Sequence, residues 1–216
     1  MGQAAKLTGK TIAILATDGF EQSELLEPQK ALEAAGAATK VVSPKKGTIR
    51  GWKGADWGES VPVDIELINA NVDMFDALLL PGGVMNPDKL RILPEAVAFV
   101  KGFVEAKKPI GAICHGPWTL IEAGGVKGKN MTSWPALKSD LTNAGAKWED
   151  KEVIVDLGLV TSRKPADIPA FNAKLIEAIA EGAPDRPKKS GAAEAEPETA
   201  PATRQVALVA GGDIAG

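Results

Sequence analysis

The stretch "IGAICHGPW", residues 110–118, sets the chain's one cysteine, Cys114, directly beside its one histidine, His115. The thiolate is the nucleophilic form of cysteine, and an imidazole within reach can take or relay the thiol proton, so the pair suits attack on an electrophilic carbon. Lone cysteines most often sit inertly in cores. Here, though, a buried strand "IGAI" runs straight into "HGP", a polar and sharply turning helix start, which is a poor place for an apolar core residue. Such a junction lifts its side chain above the sheet, as a nucleophile elbow does, and Gly111, Ala112 and Gly116 supply the small neighbours the turn needs. The helix N-terminus beside the sulfur predicts a lowered thiol pKa. With one histidine and one cysteine in the chain, a triad with a distant histidine or a zinc site of several Cys and His ligands cannot be built, so neither metal nor cofactor is expected.

Thiol chemistry also calls for a carboxylate and for donors to a developing oxyanion. "DGFEQSELLEP" offers Glu21, Glu24 and Glu27 near the opening of a helix, where acidic residues are also common for purely electrostatic reasons. "LPGG" offers Gly82 and Gly83, whose bare N–H groups suit an oxyanion as well as they suit a plain tight turn.

These candidates share one edge of a sheet only if the intervening segments alternate in the right way. "TIAILAT" (11–17), "ATKVVSP" (38–44), "DALLLPGG" (76–83) and "KPIGAIC" (108–114) read as strands buried on both faces. Helices are expected from Ser23 to Ala35 with Gly36 as cap, from Pro94 to Ala106, and after Cys114, with Pro117 at the first position and Gly124 just past the end. "DIPAFNAKLIEAIAEG" closes the series as an amphipathic helix. The class is therefore α/β, with a mostly parallel sheet covered by helices on both faces and ligands at the carboxyl ends of its strands. Lys151 to Arg163 breaks the rhythm as a β-hairpin turning at Asp156 to Gly158, and Gly47 to Val63 is an irregular, glycine-rich excursion or hairpin. One domain over residues 1–182 accounts for these elements; the Ala/Pro/Glu-rich remainder, 183–216, is expected to be disordered.

Of the residues, 44% are hydrophobic and 25% charged, enough apolar material for a sizeable core. Twenty-five basic and 28 acidic side chains leave a net charge of −3 without long runs of one sign, which argues against nucleic-acid or anionic-membrane surfaces and for small molecules or proteins as partners. No apolar stretch approaches the ~20 residues of a membrane span, the start lacks a secretion signal, and a lone thiol fits a reducing cytoplasm.

In order, "DGFEQSELLEP", "FDALLLPGG", "AICHGP", "LTNAGAKWEDKEVIVD" and "LVTSRKPADIPAF" resemble the PfpI family of intracellular cysteine peptidase-like proteins, in the superfamily of the Parkinsonism-linked protein deglycase. The resemblance runs from about Lys10 to Gly182. It implies a flavodoxin-like three-layer sandwich related to class I glutamine amidotransferases. It also implies Cys114 as nucleophile, His115 as its adjacent partner, Glu24 as the carboxylate on the sulfur, and Gly83 with the His115 backbone as the oxyanion site. Trp118 and Trp134 would narrow the pocket. Asp88, in "NPDKLR", stands near where family members place an acid that enters a neighbouring subunit's site, one residue further along, so a homo-oligomer is implied. The implied substrates are small carbonyl compounds and glycated proteins or peptides, turned over by hydrolase, deglycase or glyoxalase-type chemistry in stress or repair. A redox-responsive chaperone or stress sensor with an oxidisable Cys114 is the alternative.

Overall fold

The computed structural model describes residues 6–182; the expectation for 183–216 lies outside the described residues. In chain order the elements are β1 (Thr11–Leu15), β2 (Phe20–Glu21), α1 (Gln22–Ala34), β3 (Ala38–Ser43), β4 (Thr48–Lys53), β5 (Asp56–Pro62), β6 (Ile65–Glu66), β7 (Ala77–Leu80), α2 (Met85–Arg91), α3 (Pro94–Glu105), β8 (Ile110–Ile113), α4 (Pro117–Glu122), β9 (Asn130–Met131), α5 (Lys138–Asn143), β10 (Lys147–Trp148), β11 (Val153–Asp156), β12 (Leu159–Ser162) and α6 (Ile168–Glu181).

Seven strands form the central sheet in the order β11-β12-β8-β7-β1-β3-β6, parallel throughout except for β11 against β12. The central strands β1, β7 and β8 carry no polar face because both faces are covered. In β1, Ile12 and Ile14 pack with Leu25 and Leu32 of α1 and Phe171 and Leu175 of α6, while Ala13 and Leu15 join Phe99, Val100 and Phe103 of α3 and Leu120 of α4. This alternation along one strand, apolar on both sides, is what a three-layer α/β sandwich requires. At Gly111 in β8 a side chain would collide with Leu175 and Phe171, so glycine there lets α6 lie close on the sheet.

The expected elements are present, most of them within a residue or two; the strand expected over 76–83 ends at Leu80, where Pro81 and the two glycines turn away. Residues 151–163 form the hairpin β11–β12, turning at Leu157 and Gly158 with φ of 49° and 83°. The 47–63 excursion is a hairpin too: β4 and β5 pair antiparallel, with an irregularity between Arg50 and Trp52, and β2 adds to β4 as a third strand. Pro28 is the seventh residue of α1. Having no N–H, it leaves the Glu24 carbonyl without its usual helical donor. Among the described residues no helix is long and apolar enough to cross a membrane.

Candidate active site

Cys114 follows β8 directly, at φ 60°. A left-handed backbone costs a residue with a Cβ roughly 1–2 kcal/mol, so the surroundings must hold it there. They do so from three sides. The Cys114 N–H donates to the Ser162 carbonyl at the end of β12 (3.0 Å), its carbonyl accepts from the Trp134 N–H (3.0 Å), and the Gly116 N–H closes back on the Ile113 carbonyl (2.9 Å). Any side chain at Gly116 would run into the Leu80 carbonyl at the end of β7. The elbow is thus wedged between two strand ends, with α4 starting three residues later.

Glu24, in the first turn of α1, is fully buried. The Gly82 N–H donates to its Oε2 at 3.0 Å. The Cys114 thiol and the Gly83 N–H also face the carboxyl, but Oε1 closes no hydrogen bond of good geometry. Gly82 is where the site is tightest: a Cβ there would lie 2.5 Å from Glu24 Oε2 and 2.6 Å from the Cys114 Cβ. Gly83, at φ 77°, packs against the Gly19 carbonyl and the Glu21 N–H. The N–H groups of Gly83 and His115 converge on the sulfur.

Burial, reinforced by the charge of Glu21, pushes Glu24 up to about 8 against the opposing pull of the Cys114 thiol and the Gly82 and Gly83 N–H groups. The Cys114 thiol is pushed up as well, first by burial and then by Glu24, with the Gly83 and His115 N–H groups opposing. This corrects the expectation of a thiol pKa lowered by a helix N-terminus. The helix is only six residues long and begins at Pro117, too little dipole to offset the desolvation of a cysteine that is 8% exposed. The neighbouring carboxyl and thiol therefore titrate as a coupled pair.

His115 Nδ1 lies 3.2 Å from the Cys114 sulfur, and burial lowers the imidazole pKa, favouring the neutral ring. Its ring meets Trp118 edge-on at 5.0 Å and stacks with Trp134 at 6.2 Å. Trp118 is fastened by its Nε1–H to Asp140 (2.8 Å) and by Arg91 over its face (5.3 Å). Trp134 is 39% exposed, whereas His115 beneath it is buried.

The sequence-derived candidates His115, Glu24, Gly82 and Gly83 thus gather about Cys114, while Trp118 and Trp134 pack on the His115 ring. Asp88 does not join them; it is exposed on α2. Sequence reasoning passed over Asn86, buried at 1% exposure behind the Gly82–Gly83 turn. It also passed over Ser162, whose carbonyl anchors the elbow, and nothing in the sequence marks that contact. Among the described residues no cluster of three or more His, Cys, Asp or Glu side chains could hold a metal ion.

The profile of the DJ-1/PfpI family matches residues 10–178. The chain is 46% identical to general stress protein 18 of Bacillus subtilis over 76% of its own length and 94% of the relative's. It is 42% identical to protein/nucleic acid deglycase 2 of Escherichia coli, over 79% and 98% of the two chains. Among solved structures it resembles a two-domain protein of Anabaena variabilis with DJ-1/ThiJ/PfpI-like and ferritin-like domains (TM-score 0.74, 34% identity), covering 84% of this chain and 52% of that one. Drosophila melanogaster DJ-1beta gives a TM-score of 0.72 at 26% identity, over 79% and 90% of the two chains. With the family profile spanning most of the sandwich and the elbow at its centre, the chain belongs to the DJ-1/PfpI family.

Proposed function

We propose that the chain is a PfpI-type hydrolase or lyase of protein repair and carbonyl stress, with Cys114 as nucleophile on carbonyl-derived adducts of proteins, peptides or free aldehydes. One observation carries this reading: a buried carboxyl and two convergent N–H groups meet at a sulfur held on a left-handed elbow. As sulfur adds to the carbonyl carbon, the thiol proton passes to the ionised fraction of Glu24. The carbonyl π electrons move onto oxygen, and the N–H groups of Gly83 and His115 receive that oxyanion. On an amide-like carbon, collapse expels the amine with the proton returned from Glu24, and water hydrolyses the thioester to regenerate the thiol. Glu24 near 8 suits both halves of this exchange, since a base works best with its pKa near the operating pH. The neutral His115, 3.2 Å from the sulfur, hydrogen-bonds it through Nδ1.

The relatives' names support this reading: deglycase for several, general stress protein for another. The E. coli relative's name extends its substrates to nucleic acid. A thiol that recognises the adduct carbon needs no basic surface, so glycated nucleobases belong in the substrate panel despite the net charge of −3. Cys114→Ala is expected to abolish turnover of methylglyoxal and methylglyoxal-treated peptides, with the fold intact by circular dichroism; undiminished turnover rejects the reading. If peroxide instead oxidises Cys114 stoichiometrically and alters client binding, with no carbonyl turned over, the redox-sensor alternative replaces it. That outcome has a structural basis, because a protonated Glu24 would donate to a sulfinate oxygen.

A further inference from the structure

Asn86, 1% exposed, is a buried polar side chain behind the site that the mechanism leaves unused. Its Nδ2 donates to the Pro81 carbonyl at 2.9 Å and to the Gly82 carbonyl at 3.3 Å, and its Oδ1 accepts from the Thr17 N–H at 2.8 Å. Those two carbonyls are not arbitrary acceptors. The Pro81 carbonyl belongs to the same planar peptide as the Gly82 N–H, which donates to Glu24. The Gly82 carbonyl belongs to the same peptide as the Gly83 N–H, which faces the sulfur. In a trans peptide the carbonyl and the N–H point in opposite directions. Holding the carbonyl from behind therefore aims the N–H in front and polarises it.

Gly83 has no side chain to restrict its rotation at φ 77°. Apart from Asn86, the Gly82 carbonyl accepts, among the described residues, from the Glu21 N–H at 3.2 Å. The Thr17 bond ties Asn86 in turn to the residue two beyond the end of β1.

We infer that Asn86 is a positioning residue: through one side-chain amide it sets the aim of both glycine N–H donors, one on Glu24 and one on the reacting sulfur and oxyanion. This rests on the catalytic reading of Cys114, and the test separates the two. The titratable groups facing the pair are Glu21, His115 and the pair's own carboxyl and thiol. Asn86→Leu keeps the volume, adds no charge and offers no amide donors; Asn86→Ala removes the side chain as well.

Each variant is expected to cut kcat by about tenfold or more, up to the hundredfold loss typical of a missing oxyanion donor, with KM changed less than about twofold. Each is also expected to move the pH inflection of Cys114 alkylation by iodoacetamide upward, because the N–H groups that favour the charged forms lose their aim. Phe103→Leu, a core truncation among Phe75 and Phe99, serves as the control for lost stability and should leave that inflection in place. If the inflection stays put in folded Asn86 variants, the inference is overturned, whatever turnover does. Should the variants not fold, the unmodified chain still decides it: the Asn86 side-chain amide nitrogen resonance must titrate with the same inflection as alkylation, and a pH-independent resonance overturns the inference. An inflection that shifts while neither chain turns over any carbonyl compound leaves the positioning intact and sinks only the hydrolase reading.

Discussion

Glu24→Gln tests the electrostatics of the site most sharply, because it should stabilise the protein while disabling it. In the unfolded chain the carboxyl ionises near 4.5; in the folded chain burial holds the proton until about 8. Between those values the unfolded state has lost a proton that the native state keeps, so unfolding becomes easier as pH rises. The contribution of this group is fully present below 4.5 and is lost progressively through the window up to about 8. At about 1.4 kcal/mol per unit, that interval amounts to about 5 kcal/mol. Glutamine keeps the shape, still accepts the Gly82 N–H and cannot ionise. Urea denaturation from pH 5 to 8.5 should therefore give nearly equal midpoints at the acid end, and at pH 8 a variant more stable than wild type by several kcal/mol. The thiol contributes no slope in this window, since its ordinary value of 9.0 is already above it and burial moves it higher. In activity the order reverses. Wild-type kcat/KM should rise with pH toward an inflection near 8, while the variant loses the base, falls by about 10² or more and loses that inflection. Removing Glu24's charge also removes a push on the thiol, so alkylation of Cys114 should begin at lower pH in the variant. Parallel stability curves, or a variant that is weaker at pH 8, would refute the assignment of Glu24 as the buried, late-ionising acid.

Two further substitutions test how the backbone frames the site. Gly82→Ala would place a methyl 2.5 Å from Glu24 Oε2 and 2.6 Å from the Cys114 Cβ; because displacement of reacting groups by about 1 Å costs about 10² in rate, turnover should drop by that order, and near-normal kinetics would show that the turn has slack. Leu157→Asn, by contrast, should raise stability by about 1 kcal/mol in thermal or urea melts, since Leu157 adopts φ 49° while 71% exposed and asparagine tolerates that left-handed turn better.

Much of this arrangement was legible because the central strands are buried on both faces. Runs such as "TIAIL" and "ALLL" have no polar positions, so they announce a covered parallel sheet, and Pro117 and Gly124 bracket α4 as the helix rules require. Once the strands are placed, Cys114, the Gly82–Gly83 turn and Glu24 fall on one sheet edge by topology alone. The segments that escaped are short or compositionally disguised. α2 has Asn86 and Pro87 in its first turn, and α5 is a single six-residue segment between Trp134 and Ala146. Their stability comes from packing, which periodicity over so few residues does not reveal. The misjudged thiol has the same origin: a helix start is visible in a sequence, whereas the desolvation around a sulfur depends on four segments meeting there.

That desolvation has two opposed effects on the chemistry. A carboxylate of ordinary pKa, 4.5, is a poor base for a thiol of ordinary pKa, 9.0; the gap alone would make proton transfer uphill by about 6 kcal/mol. Burying Glu24 strengthens it as a base and narrows the gap. Burying Cys114 widens it again, because the thiolate loses solvent too. The groups that decide the balance are those favouring negative charge at sulfur and at the incoming oxygen without favouring it at Glu24. The His115 N–H favours charge at the sulfur, where it opposes the thiol's upward push. The Gly83 N–H serves both groups, so its direction determines whether it aids the base or the nucleophile. A rotation of that one peptide plane would loosen its hold on one group as it tightened its hold on the other, so the turn behind the sulfur bears on the proton's position as the sulfur's immediate neighbours do.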